Sequence, residues 1–141
     1  MNAQKIEAER WLKQAKADLA VAQTLLSTEH YAAACFHAQQ GAEKALKSVL
    51  MAGGQRLIWG HSVRDLAMQC ETYDPSFAEL AEVGSLLDQF YIPTRYPNGL
   101  PSPAVPSENF TRSQASVAKD MAEKVLQKVE FFCPRPLINA K

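Results

Sequence analysis

Five of the chain's eight prolines fall in one stretch, Pro93 to Pro106, reading PTRYPNGLPSPAVP, between two segments of helical periodicity. Each proline lacks a backbone N–H and biases the residue before it toward extended backbone, so no helix runs through that spacing. The segment therefore reads as a strap. It is neither a Gly/Ser spacer nor a charged tail, because Tyr91, Ile92, Tyr96, Leu100 and Val105 give it apolar groups that can dock on a helical surface.

On both sides of the strap apolar residues recur at three-to-four spacing. From Asn2 to about Ser27 they are Ala8, Trp11, Leu12, Ala15, Leu19, Ala22, Leu25 and Leu26, with Asp18 at the edge of the stripe, where a carboxylate needs a partner or water. A break at Thr28, Glu29 and His30 precedes a second helix from Tyr31 to about Ala52, stopped by Gly53 and Gly54. Ser62 and Asp65 form a capping-box-like SxxD start for a short third helix containing Val63, Leu66, Ala67 and Cys70. Pro75 opens a fourth, with Phe77, Leu80, Ala81, Gly84, Leu87 and Phe90 in register. Thr111 and Gln114 make a TxxQ box for a fifth, which Pro134 and Pro136 end near Cys133. No stretch alternates with period two long enough to compete as a strand. The expected fold is all-α, a four-to-five-helix up-and-down antiparallel bundle, with one domain over residues 1–133 and a short mobile tail over 134–141.

A chain of 141 residues, 47% of them hydrophobic, can build one core without a metal or disulfide staple. Cys35, Cys70 and Cys133 are odd in number and far apart, with no zinc-type spacing, so reduced thiols and no metal or other cofactor are expected. Fifteen basic and fifteen acidic residues cancel, which gives no strong nucleic-acid signal. The polar start MNAQKIEAERW and the lack of an apolar run near the roughly 20 residues of a bilayer span predict a cytoplasmic protein with no membrane partner.

Two places can carry chemistry. In the second helix His37, Gln40, Gly41, Lys44 and Lys47 project within roughly one face, neighboured by Gln39 and Glu43, which can pair with each other or with Lys47. That face reads either as solvated surface or as a binding surface, and Gly41 within it suggests that a backbone or ligand comes close. In the strap, Pro93 and Pro97 restrict the backbone around Arg95 and Tyr96, presenting a guanidinium at low entropic cost to a phosphate or to a carboxylate such as Glu43 or Asp88. Tyr96 can stack on a base or pack beneath the strap. Trp11 and Trp59 have no evident polar setting and are expected in the core or a dimer seam.

Four ordered blocks carry a resemblance. YAAACFHAQQGAEKALKSVL resembles the second helix of HEPN domains, RWLKQAKADLAVAQTLL their first, HSVRDL the start of their third, and YIPTRYPNGLPSPAVPSENFT is similar to the Arg-Tyr-Pro strap of sacsin-type HEPN domains. Together they cover nearly all of residues 3–133. The resemblance implies a homodimer with a nucleotide cleft, and thus a non-catalytic module binding GTP, ATP or a polyphosphate. There Lys44, Lys47 and Arg95 would neutralise phosphate while Gln40 and Tyr96 orient base or sugar. It also implies an alternative, a protein-interaction module that is chaperone-associated, as in sacsin, or pairs with a small nucleotidyltransferase in a toxin–antitoxin pair. Metal-independent ribonucleases of the family carry Arg, four to six residues, then His near the start of a late helix. This chain has no histidine after His61, and its one match, Arg56 to His61 in RLIWGH, precedes the third helix, so no catalytic residue is expected and metal-independent RNA cleavage, which would depend on Arg56 and His61, stands as the third reading.

Overall fold

Local capping sets three of the six α-helix starts in the computed structural model, which describes residues 2–132. α1 (Ala3–Ser27) begins where the Asn2 side chain accepts from the Lys5 N–H at 2.8 Å. α2 (Tyr31–Ala52) follows a tight link in which Glu29 takes a left-handed φ of 66°. It ends at Gly53 and Gly54, of which Gly54 supplies the left-handed residue, with φ 106°. α3 (Val63–Cys70), α4 (Ala81–Asp88), α5 (Pro106–Asn109) and α6 (Arg112–Phe132) complete the set, and no strand occurs among the described residues. The expected all-α bundle is what forms.

The TxxQ box closes at α6: the Gln114 N–H donates to Thr111 Oγ1 (3.2 Å) and the Thr111 N–H to Gln114 Oε1 (2.9 Å). The SxxD box at α3 closes only by half. Ser62 Oγ accepts from the Asp65 N–H at 3.0 Å, but the Asp65 carboxylate accepts from Gln69 instead of turning back. A carboxylate from another helix takes its place, as Asp88 accepts from the Val63 N–H and from Ser62 Oγ, both at 2.6 Å. Its negative charge also suits the positive end of α3.

Two departures concern the prolines. The first turn after Pro75 is a 3₁₀ helix, Pro75–Leu80, that only then passes into α4. The strap contains one 3₁₀ turn, Pro97–Gly99, and its last proline opens α5, since a proline at the first helical position sacrifices no hydrogen bond.

α2 is the axis of the bundle and packs against α1, α3, α4, α5 and α6. Its Ala34, Ala38, Ala42 and Ala45 are fully buried and let neighbouring helices approach. α1 runs antiparallel to it, Asp18 meeting Lys44 and Trp11 meeting Lys47. α3 and α4 touch backbone to backbone, because a Cβ built on Gly84 would lie 2.5 Å from the Arg64 Cα. Trp59 does not join the core: it is 79% exposed. Cys133 and the proposed tail at 134–141 lie outside the described residues.

Gly84→Ala is therefore expected to lower stability by about 2 kcal/mol or more, since neither backbone can yield, and urea unfolding measures it. Burial holds the Cys35 thiol up at about 12, against 9.0 ordinarily. Between those values the unfolded chain loses a proton that the folded one keeps, so stability falls as pH rises above 9.0. Replacing Cys35 by Ala should flatten that part of the stability–pH curve, and labelling of native protein at pH 8 should leave Cys35 unmodified.

Candidate functional site

One stripe of α2, Phe36, Gln40, Glu43 and Lys47, lines up because each pair is separated by three or four residues. Its centre is Glu43, 4% exposed. The carboxylate faces Lys47 Nζ at 3.1 Å, His61 Nδ1 at 3.3 Å, and the side-chain amides of Gln39 (3.4 Å) and Gln40 (3.5 Å). Gln40 also donates to Gln39 Oε1 at 2.8 Å, and Gln39 donates to the His61 carbonyl at 2.9 Å, which ties the connection between α2 and α3 to the side of α2. Lys47 is buried as well and sits 5.8 Å over the Trp11 ring. A buried ion pair hydrogen-bonded on this many sides is a satisfied network, not a solvated face.

The face read from the sequence divides between two surroundings. Gln40 and Lys47 belong to the Glu43 network, whereas Gly41 and Lys44 turn to α1. A Cβ on Gly41 would stand 3.2 Å from the Ala15 carbonyl, so the close approach that a mid-helix glycine suggests is to backbone. Lys44 Nζ meets Asp18 at 2.5 Å, and Gln14 donates to the same carboxylate at 2.9 Å, which supplies the partner that Asp18 requires. His37 stays apart, its Nδ1 buried without a hydrogen-bond partner and its ring edge-on to Phe36 at 5.6 Å.

The network reaches the strap through stacked rings. His61 lies on Tyr91 with centroids 4.7 Å apart and planes 19° from parallel. The Arg95 guanidinium lies 4.6 Å from the same Tyr91 ring, 4.5 Å from Phe36 and 4.9 Å from Tyr96, within cation–π range of all three. Its Nε donates to the Tyr91 carbonyl at 2.9 Å. Among the described residues no carboxylate pairs with it: Glu43 is held by Lys47 and His61, and Asp88 caps α3. A guanidinium carries five N–H donors, and the four on its terminal nitrogens have no partner among the described residues. Tyr96 beside it is 50% exposed, so it does not pack beneath the strap.

A hollow of about 420 Å³ opens next to Arg95, between the strap residues Thr94, Pro97 and Val105 and the first turn of α2 at His30 and Tyr31. No side chain caps that end of α2. The positive end of a long helix and an unpaired arginine thus flank one space, with Glu29 also on its wall. Phe36 and Tyr91 escape a search for charged residues; the spacing Tyr91–Arg95, four apart next to a proline, is the signal that points to the cage. Arg56 and His61 do not come together, since Arg56 lines a separate hollow with Trp11 and Met51 while His61 faces Glu43 and Tyr91. No group of three or more His, Cys, Asp or Glu among the described residues could hold a metal ion, and no described helix is long and apolar enough to cross a membrane.

The family model for the HEPN domain matches residues 8–132. The chain is 31% identical to the protein named "Putative toxin MJ1304" from Methanocaldococcus jannaschii, covering 89% of this chain and 87% of that one. It is 28% identical to human sacsin over 90% of its own length but only 3% of sacsin's. The crystal structure of TT1696 from Thermus thermophilus superimposes with a TM-score of 0.77 at 43% identity, covering 88% of this chain and 96% of that one.

Removing the Glu43 carboxylate alone strands a buried ammonium, so Glu43→Ala should destabilise by about 3–5 kcal/mol, whereas the double change Glu43→Leu with Lys47→Met should recover most of it. Chemical denaturation of the wild type, Glu43→Leu, Lys47→Met and their double variant measures the coupling, and additive losses would contradict it.

Proposed function

The chain belongs to the HEPN domain family, and on that premise we propose that it is a homodimeric, non-catalytic module that binds a phosphorylated ligand of the nucleotide class, GTP or ATP, at the strap. The observation that carries this reading is Arg95: half-buried, unpaired by any carboxylate among the described residues, fixed by three aromatic rings and a backbone carbonyl, and facing a hollow. A guanidinium ordered in advance loses little entropy when it meets a phosphate, and its planar fork suits two phosphate oxygens at once. The uncapped start of α2 adds a partial positive charge on the same side. Tyr96 is exposed enough to stack a base. Gln40, Lys44 and Lys47 have a lesser part in this arrangement, entering only when a ligand phosphate displaces Glu43 or Asp18 from them.

A second reading, a protein-interaction module, draws on the similarity to a protein whose name is "Putative toxin" and which the chain matches along most of its length. Here the partner would be a small nucleotidyltransferase acting as antitoxin. A chaperone-associated role draws on the shorter match to sacsin.

Calorimetric titration of the purified protein with GTP and ATP should give micromolar affinity with a defined number of sites per dimer. Arg95→Ala should weaken it about tenfold or more, close to 1.4 kcal/mol, with the melting temperature nearly unchanged. A folded protein that gives no heat at millimolar nucleotide would move the function to the interaction module.

A further inference from the structure

The hollow beside Arg95 has a second charged wall. Glu29 lines it from the link between α1 and α2. Its φ of 66° is a left-handed conformation that glycine, asparagine or aspartate adopts with less strain. The link is pinned in that form, since the Glu29 N–H donates to the Leu26 carbonyl at 3.2 Å and the His30 N–H to the Leu25 carbonyl at 2.8 Å. A long acidic side chain stands there against the local preference, and backbone outliers of this kind gather where ligands are held.

Its charge is also uncompensated. Glu29 is exposed and makes no side-chain hydrogen bond or ion pair among the described residues, and the terminal N–H donors of Arg95 have no partner among them either. Opposite charges on one hollow attract, but Arg95 is held by three rings and the Tyr91 carbonyl, and Glu29 by its pinned link, so the two do not pair. The hollow thus offers donors at one point and an acceptor at another. It suits a ligand with negative charge at one end and N–H donors at the other, and its volume of about 420 Å³ falls within the range of small-molecule sites.

Nucleotides differ at that second end. Stacking on Tyr96 accepts every base, because every base has a π face, so the ring cannot tell GTP from ATP. A group that reads the base edge can. Guanine presents N1–H and its N2 amino group side by side, two donors that match the two oxygens of one carboxylate. Adenine presents a bare N1 beside its N6 amino group, and a lone pair set against a carboxylate oxygen is repelled. Glu29 repels phosphate too, which turns that end of the ligand toward Arg95.

We propose that Glu29 is the base-reading residue of the strap site, its carboxylate accepting from N1–H and the N2 amino group of guanine while Arg95 holds phosphate. The assignment rests on the nucleotide reading above and narrows it from GTP or ATP to guanine nucleotides.

Calorimetric titration of the full chain and of Glu29→Gln with GTP, inosine triphosphate and ATP tests it. The wild type should bind GTP at least about tenfold more tightly than ATP, with inosine triphosphate, which lacks only the N2 amino group, in between. In Glu29→Gln the amide offers one donor and one acceptor, which fit the adenine edge, so GTP should weaken and ATP tighten. A carboxylate acting only by repelling phosphate predicts instead that Glu29→Gln tightens all three alike. Glu29→Gly should melt no lower than the wild type, since glycine suits the left-handed backbone, yet should lose the preference for GTP. Equal affinities for GTP and ATP in the wild type, or a parallel change for all three in Glu29→Gln, overturn the assignment and leave a nucleotide site standing; a folded protein that binds none of them overturns both.

Discussion

A carboxylate and an ammonium inside a protein are costly unless each finds partners, and Glu43 and Lys47 sit inside the most enclosed helix of this bundle. Their mutual contact does not exhaust the carboxylate, which also takes the imidazole of His61 and amide donors from Gln39 and Gln40. That need brings the end of the α2–α3 connection onto the side of α2. Once His61 is there its flat ring provides a platform for Tyr91, and Tyr91 in turn provides one of the three faces that hold Arg95. A buried charge on α2 and an unpaired arginine on the strap thus belong to one line of contacts, each link set by the one before it.

Much of this was legible in the sequence wherever the determinant is local. The apolar periodicity, the TxxQ box, the glycine stop after Ala52 and the proline barrier all act within a few residues, and all appear in the fold. The i,i+4 contacts of Glu43 with Gln39 and Lys47 are local in the same sense. What the sequence hides is which distant group arrives to complete a local need. Asp18 visibly lacks a partner, yet nothing near it in the chain says that Lys44, 26 residues on, provides one. Ser62 visibly begins a helix, yet the carboxylate completing the cap is Asp88, not Asp65. Treating residues 37, 40, 41, 44 and 47 as one face failed for the same reason, since a helical wheel gives azimuth but not which neighbour stands at each azimuth.

Arg95 illustrates how the chemistry of an arginine depends on what covers its planes and what meets its edge. Aromatic rings attract the guanidinium through their faces without consuming its terminal N–H donors, whereas a carboxylate would occupy them. The strap therefore fixes the cation and leaves its hydrogen-bonding edge available. Lysine in the same position would present a single flexible point charge and would lose the stacking. Prolines 93 and 97 serve the same end by restricting the backbone, and Thr94, buried beside Arg95, donates its hydroxyl to the Phe90 carbonyl at 2.5 Å, anchoring the strap to the end of the preceding helix.

The connection that exposes Leu57 and Trp59 is itself anchored at both ends. At its start the Gln55 N–H reaches the Leu50 carbonyl at 3.0 Å and the Gln55 side chain reaches the Tyr73 hydroxyl at 3.2 Å; at its end His61 is held by Gln39 and Glu43. Gly54 and Gly60 take positive φ values of 106° and 96° close to these anchors, conformations that other residues adopt only with strain. Between them Ile58 packs inward and leaves its neighbours pointing out. A side chain carried by a flexible loop must be ordered when it binds, and that ordering subtracts from affinity. Trp59 stands on a segment already fixed by the same buried network that reaches Arg95 through Tyr91, so this exposed side chain is carried on ordered backbone.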